Sequence, residues 1–294
     1  MTTKTRYKIE YLAVLTLIIV LNLVPYRLAL MFGDFIGFLA FSVIRIRREV
    51  TLDNLKKSFG DKYSDSEYRK IAAGSYRNIA RGFIEYGLFP KLSKRDLSEY
   101  LCIEGEENIK KIKDSGRGAV LVTGHFGSWE LMGAFIARRG WPIDYLVGEQ
   151  HNLLVNKLMN DHRRLFNIGL IEMGVAARGV FKAVKEGRMV CMLSDQDAGN
   201  DGVVVDFLGR PASTPKGPAA FAIKTGAPLA CGFIVRNGAR QKIIVEPVIE
   251  FHPSGSKEND IKKLTQIYTS LIEKYVRRYP DHWFWPHRRW KSTT

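Results

Sequence analysis

Cysteine is scarce in this chain, with three among 294 residues. Cys102, Cys191 and Cys231 are far apart, odd in number and set in apolar surroundings. Neither a disulfide framework nor a metal knuckle follows, and buried, reduced thiols in a cytosol-facing protein are expected. Acidic residues are also short: 30 Asp and Glu face 45 Lys and Arg, a formal net charge of +15. Such an excess asks for an anionic partner. Nucleic acid is set aside, because zinc-finger spacing, RNA-binding signatures and a Gly/Arg-rich tail are all missing. Much of the positive charge instead flanks apolar stretches, which suits an anionic membrane surface. The G-x-S-x-G elbow of a lipid hydrolase is absent too: Ser128 follows Gly127, but Trp129 and Glu130 come next. There is no P-loop and no G-x-G-x-x-G, so nucleotide chemistry lacks its phosphate cradle. Internal repeats and low-complexity linkers are not found.

What the chain does have begins near its N-terminus. Residues 11–26 carry no charge, and their heart is LAVLTLIIVLNLV, residues 12–24. Such a run rises about 24 Å as a helix, short of the roughly 30 Å hydrocarbon core of a bilayer. Pro25 and Arg27 interrupt it, and a second apolar run, residues 35–44, follows Asp34. Both outer flanks are basic: Lys4, Arg6 and Lys8 before, Arg45, Arg47 and Arg48 after. The positive-inside rule places both flanks on the cytoplasmic side, so a shallow hairpin or an interfacial pair of helices is expected instead of a single clean span. A cleaved signal peptide is the rival, but no small-x-small site ends the apolar core.

Three segments follow from texture: a membrane-anchoring apolar segment (1–48), a helical region (49–100) and an α/β core ending in a helix and an aromatic, basic tail (101–294). In the second, Ser64 and Glu67 form a capping box, and Tyr68, Ile71, Ala72, Ser75, Ile79, Phe83 and Tyr86 share one helical face, as packing requires. In the third, short apolar strands alternate with helices. Strands are expected at residues 119–125, 143–149, 170–173, 189–195, 228–235 and 242–251. Helices are expected at 105–115, 129–139, up to about 167, 177–186 and 215–225, and a last one capped by Asn259. This alternation predicts an α/β fold with a mixed central sheet flanked by helices.

The chemistry concentrates in GHFGSWE, residues 124–130, where a predicted strand gives way to a helix. Catalytic groups favour such strand ends. His125 is the natural proton acceptor near neutral pH, and Glu130, five positions on, could fold back to fix its tautomer. A His and a Glu at this spacing also occur often by chance, so the spacing alone carries little.

The surrounding blocks add to it. GHFGSWE resembles the His-x4-acid motif of the bacterial lipid A biosynthesis acyltransferases, a family that includes the phosphatidylinositol mannoside acyltransferases. RREVTLDNLKKSFG (residues 47–60), SDQDAGNDGVVVDFLGRPASTPKGPAAFAIKTGAPL (194–229) and YPDHWFWPHRRWK (279–291) resemble three further blocks of that family, in order. Ser128 departs from the pattern, where Asn is common. The resemblance implies a glycerolipid acyltransferase-like fold and transfer of an acyl chain from acyl carrier protein or acyl-CoA, with no bound cofactor. The acceptor would be a glycolipid hydroxyl, first a lipid A precursor, at the cytoplasmic face of the inner membrane. Phosphatidylinositol mannosides, other glycolipids and lysophospholipids are alternative acceptors.

In that reading His125 deprotonates the acceptor, Glu130 orients His125, and an arginine downstream stabilises the oxyanion. Arg164 is the first choice for that arginine and Arg163 the second. Asp195, Gln196 and Asp197 follow an apolar strand and could hold sugar hydroxyls or support the dyad; a metal is not expected there. Thr214, Lys216 and Gly217 open a predicted helix and would suit a phosphate or simply cap it. Arg288, Arg289 and Lys291 could meet an acidic carrier protein or lipid headgroups, while Trp283, Trp285 and Trp290 suit either a membrane interface or packing of the tail. The non-enzyme alternative is a lipid-binding protein of the membrane surface, in which His125 and Glu130 would be dispensable.

Overall fold

The computed structural model describes residues 3–293. Helix α1 (Thr3–Leu23) stops at Pro25, whose ring and missing N–H cannot continue it, and α2 (Tyr26–Phe38) starts afresh and runs into a π-helical turn, Leu39–Val43. The second helix therefore begins nine residues before the apolar run that marks it in sequence, because Arg27 and Asp34 are accommodated within it. Tyr26–Val43 is the one stretch among the described residues long and apolar enough to cross a membrane. Helices α3 (Arg48–Phe59), α4 (Asp65–Gly87) and the single turn α5 (Phe89–Leu92) follow. The capping box forms: the Ser64 hydroxyl accepts from the Glu67 N–H, and the Glu67 carboxylate accepts from the Ser64 N–H at 2.7 Å.

The α/β part runs β1 (Leu101–Glu104), α6 (Glu106–Asp114), β2 (Ala119–Thr123), α7 (Trp129–Arg138), β3 (Ile143–Val147), α8 (Leu153–Arg164), β4 (Gly169–Glu172), α9 (Ala176–Lys185), β5 (Met189–Leu193), β6 (Val203–Phe207), β7 (Arg210–Thr214), α10 (Gly217–Thr225), β8 (Leu229–Asn237), β9 (Arg240–Val245) and α11 (Lys257–Arg278). The seven-stranded sheet has the order β1-β9-β8-β2-β5-β3-β4 and is parallel except where β9 turns back on β8; β6 and β7 form a separate hairpin. The predicted mixed sheet flanked by helices is the architecture found.

Several details differ from the sequence-based expectation. Strand β1 and the β6–β7 hairpin go beyond that expectation: the apolar runs of β1 and β6 are only three residues long, and β7, RPAST, has none. Asn259 lies inside α11, which Ser256 precedes as the cap residue. Cys191 and Cys231 are buried, but Cys102 is exposed.

The N-terminal helices are tied to the rest at two points. Gly33 and Gly37 let α2 press on α4; a Cβ on Gly37 would come within 2.7 Å of the Arg77 Cα. Beside them Arg81 donates to Asp34 at 2.6 Å. Further along, the Tyr26 hydroxyl donates to Glu85, which is fully buried. Arg236 of β8 grips the same carboxylate with both amino groups, at 2.6 and 3.0 Å, and Gln241 adds a bond at 2.8 Å. Burial pushes the Glu85 carboxyl up, but the Arg236 charge and these donors outweigh it and hold it below the ordinary carboxylate range. Removing one partner of such a pair strands a buried charge. Arg236→Met is therefore expected to destabilise the fold by about 3–5 kcal/mol, measured by chemical denaturation. Because the folded-state pKa of Glu85 is depressed, its contribution is complete above the unfolded value of about 4.3 and fades as pH falls through the folded one. The stability gap between wild type and Glu85→Gln should therefore shrink in acid.

Candidate active site

Strands β2 and β5 are parallel neighbours with Thr123 beside Leu193, and the Ser194 N–H bonds the Thr123 carbonyl at 3.0 Å. Each chain runs two residues further, so His125 and Asp195 emerge side by side at the carboxyl end of the sheet. The Asp195 carboxylate accepts from the His125 backbone N–H at 2.7 Å and lies 2.8 Å from the His125 Nδ1. A Cβ at position 124 would meet Asp195 Oδ2 at 2.9 Å, so only glycine permits this approach. Gly127 turns the chain toward α7 with φ +56°, where a side chain would collide with the Ile234 carbonyl.

Asp195 is 1% exposed and His125 20%. The third donor to Asp195 comes from the tail: the Trp283 indole N–H, at 2.7 Å. Burial is the largest influence on this carboxyl and pushes its pKa up. The His125 ring charge and the three hydrogen bonds together overcome that and hold it below its usual range. With Nδ1–H directed at Asp195, the His125 Nε2 is left as the proton-accepting nitrogen.

The tail is part of the site. Phe126 and Trp283 form an antiparallel bridge; the Phe284 N–H bonds the His125 carbonyl at 3.1 Å, and the Gly127 N–H bonds the His282 carbonyl at 2.8 Å. Trp283, Trp285 and Trp290 are at most 3% exposed, so they pack the tail onto the core and do not face a membrane interface. Ser75 of α4 and Asn54 of α3 hold its carbonyls from the other side.

His125 lines a cavity of about 410 Å³ together with Thr123, Trp129, Glu130, Tyr145, Arg163, Cys191, Leu193, Gln196 and Phe284. The aromatic edges of Trp129 and Phe284 flank the imidazole, with ring centroids at 5.1 and 6.1 Å. Such a mostly apolar void with a few convergent polar groups is the usual form of a ligand site.

A family model for bacterial lipid A biosynthesis acyltransferases matches residues 1–292. The chain belongs to this family. It is 25% identical to the lipid A biosynthesis palmitoleoyltransferase of Escherichia coli (strain K12), over 91% of this chain and 86% of that protein. It is 27% identical to the lipid A biosynthesis lauroyltransferase of the same organism, over 98% and 92%. With the phosphatidylinositol mannoside acyltransferase of Mycolicibacterium smegmatis (strain ATCC 700084 / mc(2)155) it shares 25%, over 81% and 77%.

Within this acyltransferase the structure rearranges the predicted site. Among the described residues Glu130 forms no hydrogen bond to His125, whose ring pairs with Asp195. Glu130 lies in the first turn of α7 and takes a bidentate ion pair from Arg163, at 2.5 and 3.1 Å. Arg163 is further braced by Asn160 and by the rings of Tyr86 and Tyr145. Burial works against the Arg163 charge, but Glu130 more than compensates and raises its pKa. Arg164, one position on, points outward, is mostly exposed and pairs with Asp161. The helical step of 100° per residue decides between the two arginines. Among the described residues Arg163 is the only Lys or Arg lining the His125 cavity.

Gln196 lines the cavity, whereas Asp197 accepts from Ser292 and does not. Thr214 is fully buried and occupied by Arg289, itself 1% exposed, so neither can meet a phosphate or a headgroup from solvent. Lys216 and Arg288 are exposed, and with Gly217 they lie outside the cavity lining. No three metal-binding side chains gather among the described residues. Trp283 as a donor to Asp195 was missed, because an indole N–H gives no signal in sequence until the strand pairing of the tail is known.

Two substitutions test this geometry. Asp195→Asn should lower kcat for acyl transfer by on the order of 10²–10⁴, since an amide can favour the wrong imidazole tautomer. Trp283→Phe, which removes one of three donors to the same carboxylate, should lower kcat less while leaving the KM for the acyl donor unchanged.

Proposed function

We propose that this chain moves a fatty acyl group from a thioester, on acyl carrier protein or coenzyme A, to a hydroxyl of a membrane glycolipid, with His125 as general base and Asp195 as its positioning partner. The observation that carries the reading is the buried Asp195 carboxylate bonded to both the ring and the backbone of a histidine that faces a largely apolar cavity. An acyl chain needs the apolar walls, and a hydroxyl needs the base.

The acceptor hydroxyl gives its proton to His125 Nε2. Its oxygen attacks the thioester carbonyl as that proton leaves. Asp195 stabilises the imidazolium. The tetrahedral oxyanion collapses, the carbon–sulfur bond breaks, and the thiolate leaves with the proton held by His125. No nucleophile of the protein is acylated in this scheme. The oxyanion needs donors: Arg163 supplies the cation of the cavity, and the first N–H groups of α7, which have no partner within the helix, open beside it. The Glu130–Arg163 pair holds that cation at a fixed place on the wall.

Membrane seating is the second half of the proposal. Leu28, Met31, Phe32, Phe35 and Phe38 of α2 are 41–63% exposed, and Leu12, Ile19, Val20 and Leu23 of α1 are at least as open as Phe32. Together they form an unpaired apolar surface beside the cationic flanks. We assign this face to the inner membrane, with the His125 cavity on the cytoplasmic side where thioester donors are made. The acceptor is taken as a lipid A precursor first and a mannosylated phosphoinositide second, following the lipid A and phosphatidylinositol mannoside relatives.

Detergent-purified wild type and His125→Ala, mixed with acyl carrier protein thioesters and lipid extract and followed by mass spectrometry, test this. One glycolipid should gain an acyl-sized mass in wild type, and the variant should lose on the order of 10²–10⁴ of that rate while still sedimenting with vesicles. Equal rates in both proteins would remove His125 as the base.

A further inference from the structure

A second cavity, of about 240 Å³, lies one helical turn further toward the start of α4. Gly82 lines the His125 cavity and Asn78 lines this one, so their α4 walls are on the order of 6 Å apart. Its walls are almost entirely polar. Arg77 and Arg81 of α4 face Arg236 of β8, with Asp281 and His282 of the tail closing the end.

The donors here are under-used. Arg77 is exposed and makes no ion pair within 4 Å among the described residues, although its charge helps to hold the Asp281 carboxyl below the usual range. Arg81 gives one amino group to Asp34, yet its Nε is buried without a partner. Arg236 spends both amino groups on Glu85, which leaves its Nε edge. Three carboxylates belong to this neighbourhood. Asp34 and Glu85 are engaged by the far sides of Arg81 and Arg236, and Asp281 is bonded to His282 Nδ1 at 2.8 Å. His282 Nε2 accepts from the Arg236 backbone N–H at 2.9 Å. Its one proton therefore sits toward Asp281, and the ring adds no charge. Three guanidinium groups and one half-exposed carboxylate, Asp281, thus line the void, so guanidinium N–H donors outnumber the acceptors there, as a tetrahedral oxyanion requires.

We propose that this cavity binds the phosphate group of an anionic lipid headgroup. Its place supports the choice of ligand. Arg77 and Arg81 are the residues against which Gly37 and Gly33 of α2 press, and the outer side of α2 carries the exposed Met31, Phe35 and Phe38. On the membrane seating proposed above, on which this inference rests, those side chains enter the lipid and the arginines stand at headgroup level. The cavity also reaches the reaction centre through covalent neighbours: the His282 carbonyl receives the Gly127 N–H, and Trp283 bonds Asp195. A lipid phosphate seated here would bring its own molecule alongside the His125 cavity.

The test is flotation of the full chain with vesicles of phosphatidylcholine alone, and of phosphatidylcholine with phosphatidylglycerol. The proteins are wild type, Arg77→Glu, Arg81→Lys and Lys185→Glu, the last changing charge by the same amount at the exposed end of α9. Binding to phosphatidylcholine should be equal in all four, since it reports only the apolar face; its absence in wild type would sink the membrane seating, not the cavity. Phosphatidylglycerol should raise wild-type binding, and Arg77→Glu should reduce that increment by about fivefold or more. Arg81→Lys should reduce it too, although its net charge is unchanged, and Lys185→Glu should retain it. Inorganic phosphate separates the sources. A saturable rise in melting temperature in micelles, absent in Arg77→Glu, would keep the phosphate site but give it to the free ion as well. Equal loss in Arg77→Glu and Lys185→Glu, or no loss in Arg77→Glu with no response to phosphate, would overturn the proposal.

Discussion

A carboxylate with almost no access to water sets the terms for the centre of this protein. Asp195 can stay ionised only if donors replace the solvent it has lost. Three do so, from two places: the backbone and ring of His125, one strand away, and the indole of Trp283, 88 residues along the chain. Each demands something of the architecture. The first two require β2 and β5 to be parallel neighbours in one register, and a glycine at 124. The third requires the tail to lie as an extra extended segment against the loop after β2. Partners and geometry are thus chosen together, and the loop carrying His125 is held on one side by the Asp195 carboxylate and on the other by backbone hydrogen bonds to the tail.

Helix α4 is the mechanical counterpart of that loop. One face receives α2 through Gly33 and Gly37, another holds the tail through Ser75 and Asn78, and its last turns line the His125 cavity and carry Glu85. Glu85 then joins Tyr26, Arg236 and Gln241 in one buried cluster. The apolar N-terminal helices are therefore more than a tether. Their position relative to the sheet is fixed by a charged contact that would be costly to break, so the exposed face of α2 and the mouth of the site keep a constant relation.

Much of this was legible in the sequence, for identifiable reasons. The strands β2, β3, β5 and β8 are short apolar runs between helices of clear period, and the α/β architecture follows from them. His125 is conspicuous because a strand ends and a glycine-flanked loop begins there. Proximity in sequence favours Glu130 as the partner of His125, and proximity in space decides for Asp195. Glu130 is five residues away but enters α7 and rotates toward α8, whereas Asp195 is 70 residues away and arrives by strand register. The arginines turned on a single helical step, too fine for spacing to decide. The tryptophans of the tail look alike in composition whether they sit at a membrane or in a core. Only their pairing with Phe126 and His125 distinguishes the two, and pairing between distant segments leaves no local mark.

The dependence of the centre on its tail has a consequence for the order in which the protein comes into being. In chain order α1 and α2 come before the sheet, and Trp283 comes after all nine strands. Until that indole arrives, Asp195 lacks a donor and the loop carrying His125 lacks its second flank. Synthesis therefore completes the sheet before it completes the donor set of Asp195, and the loop after β2 is flanked on both sides only once the segment around Trp283 folds back onto it.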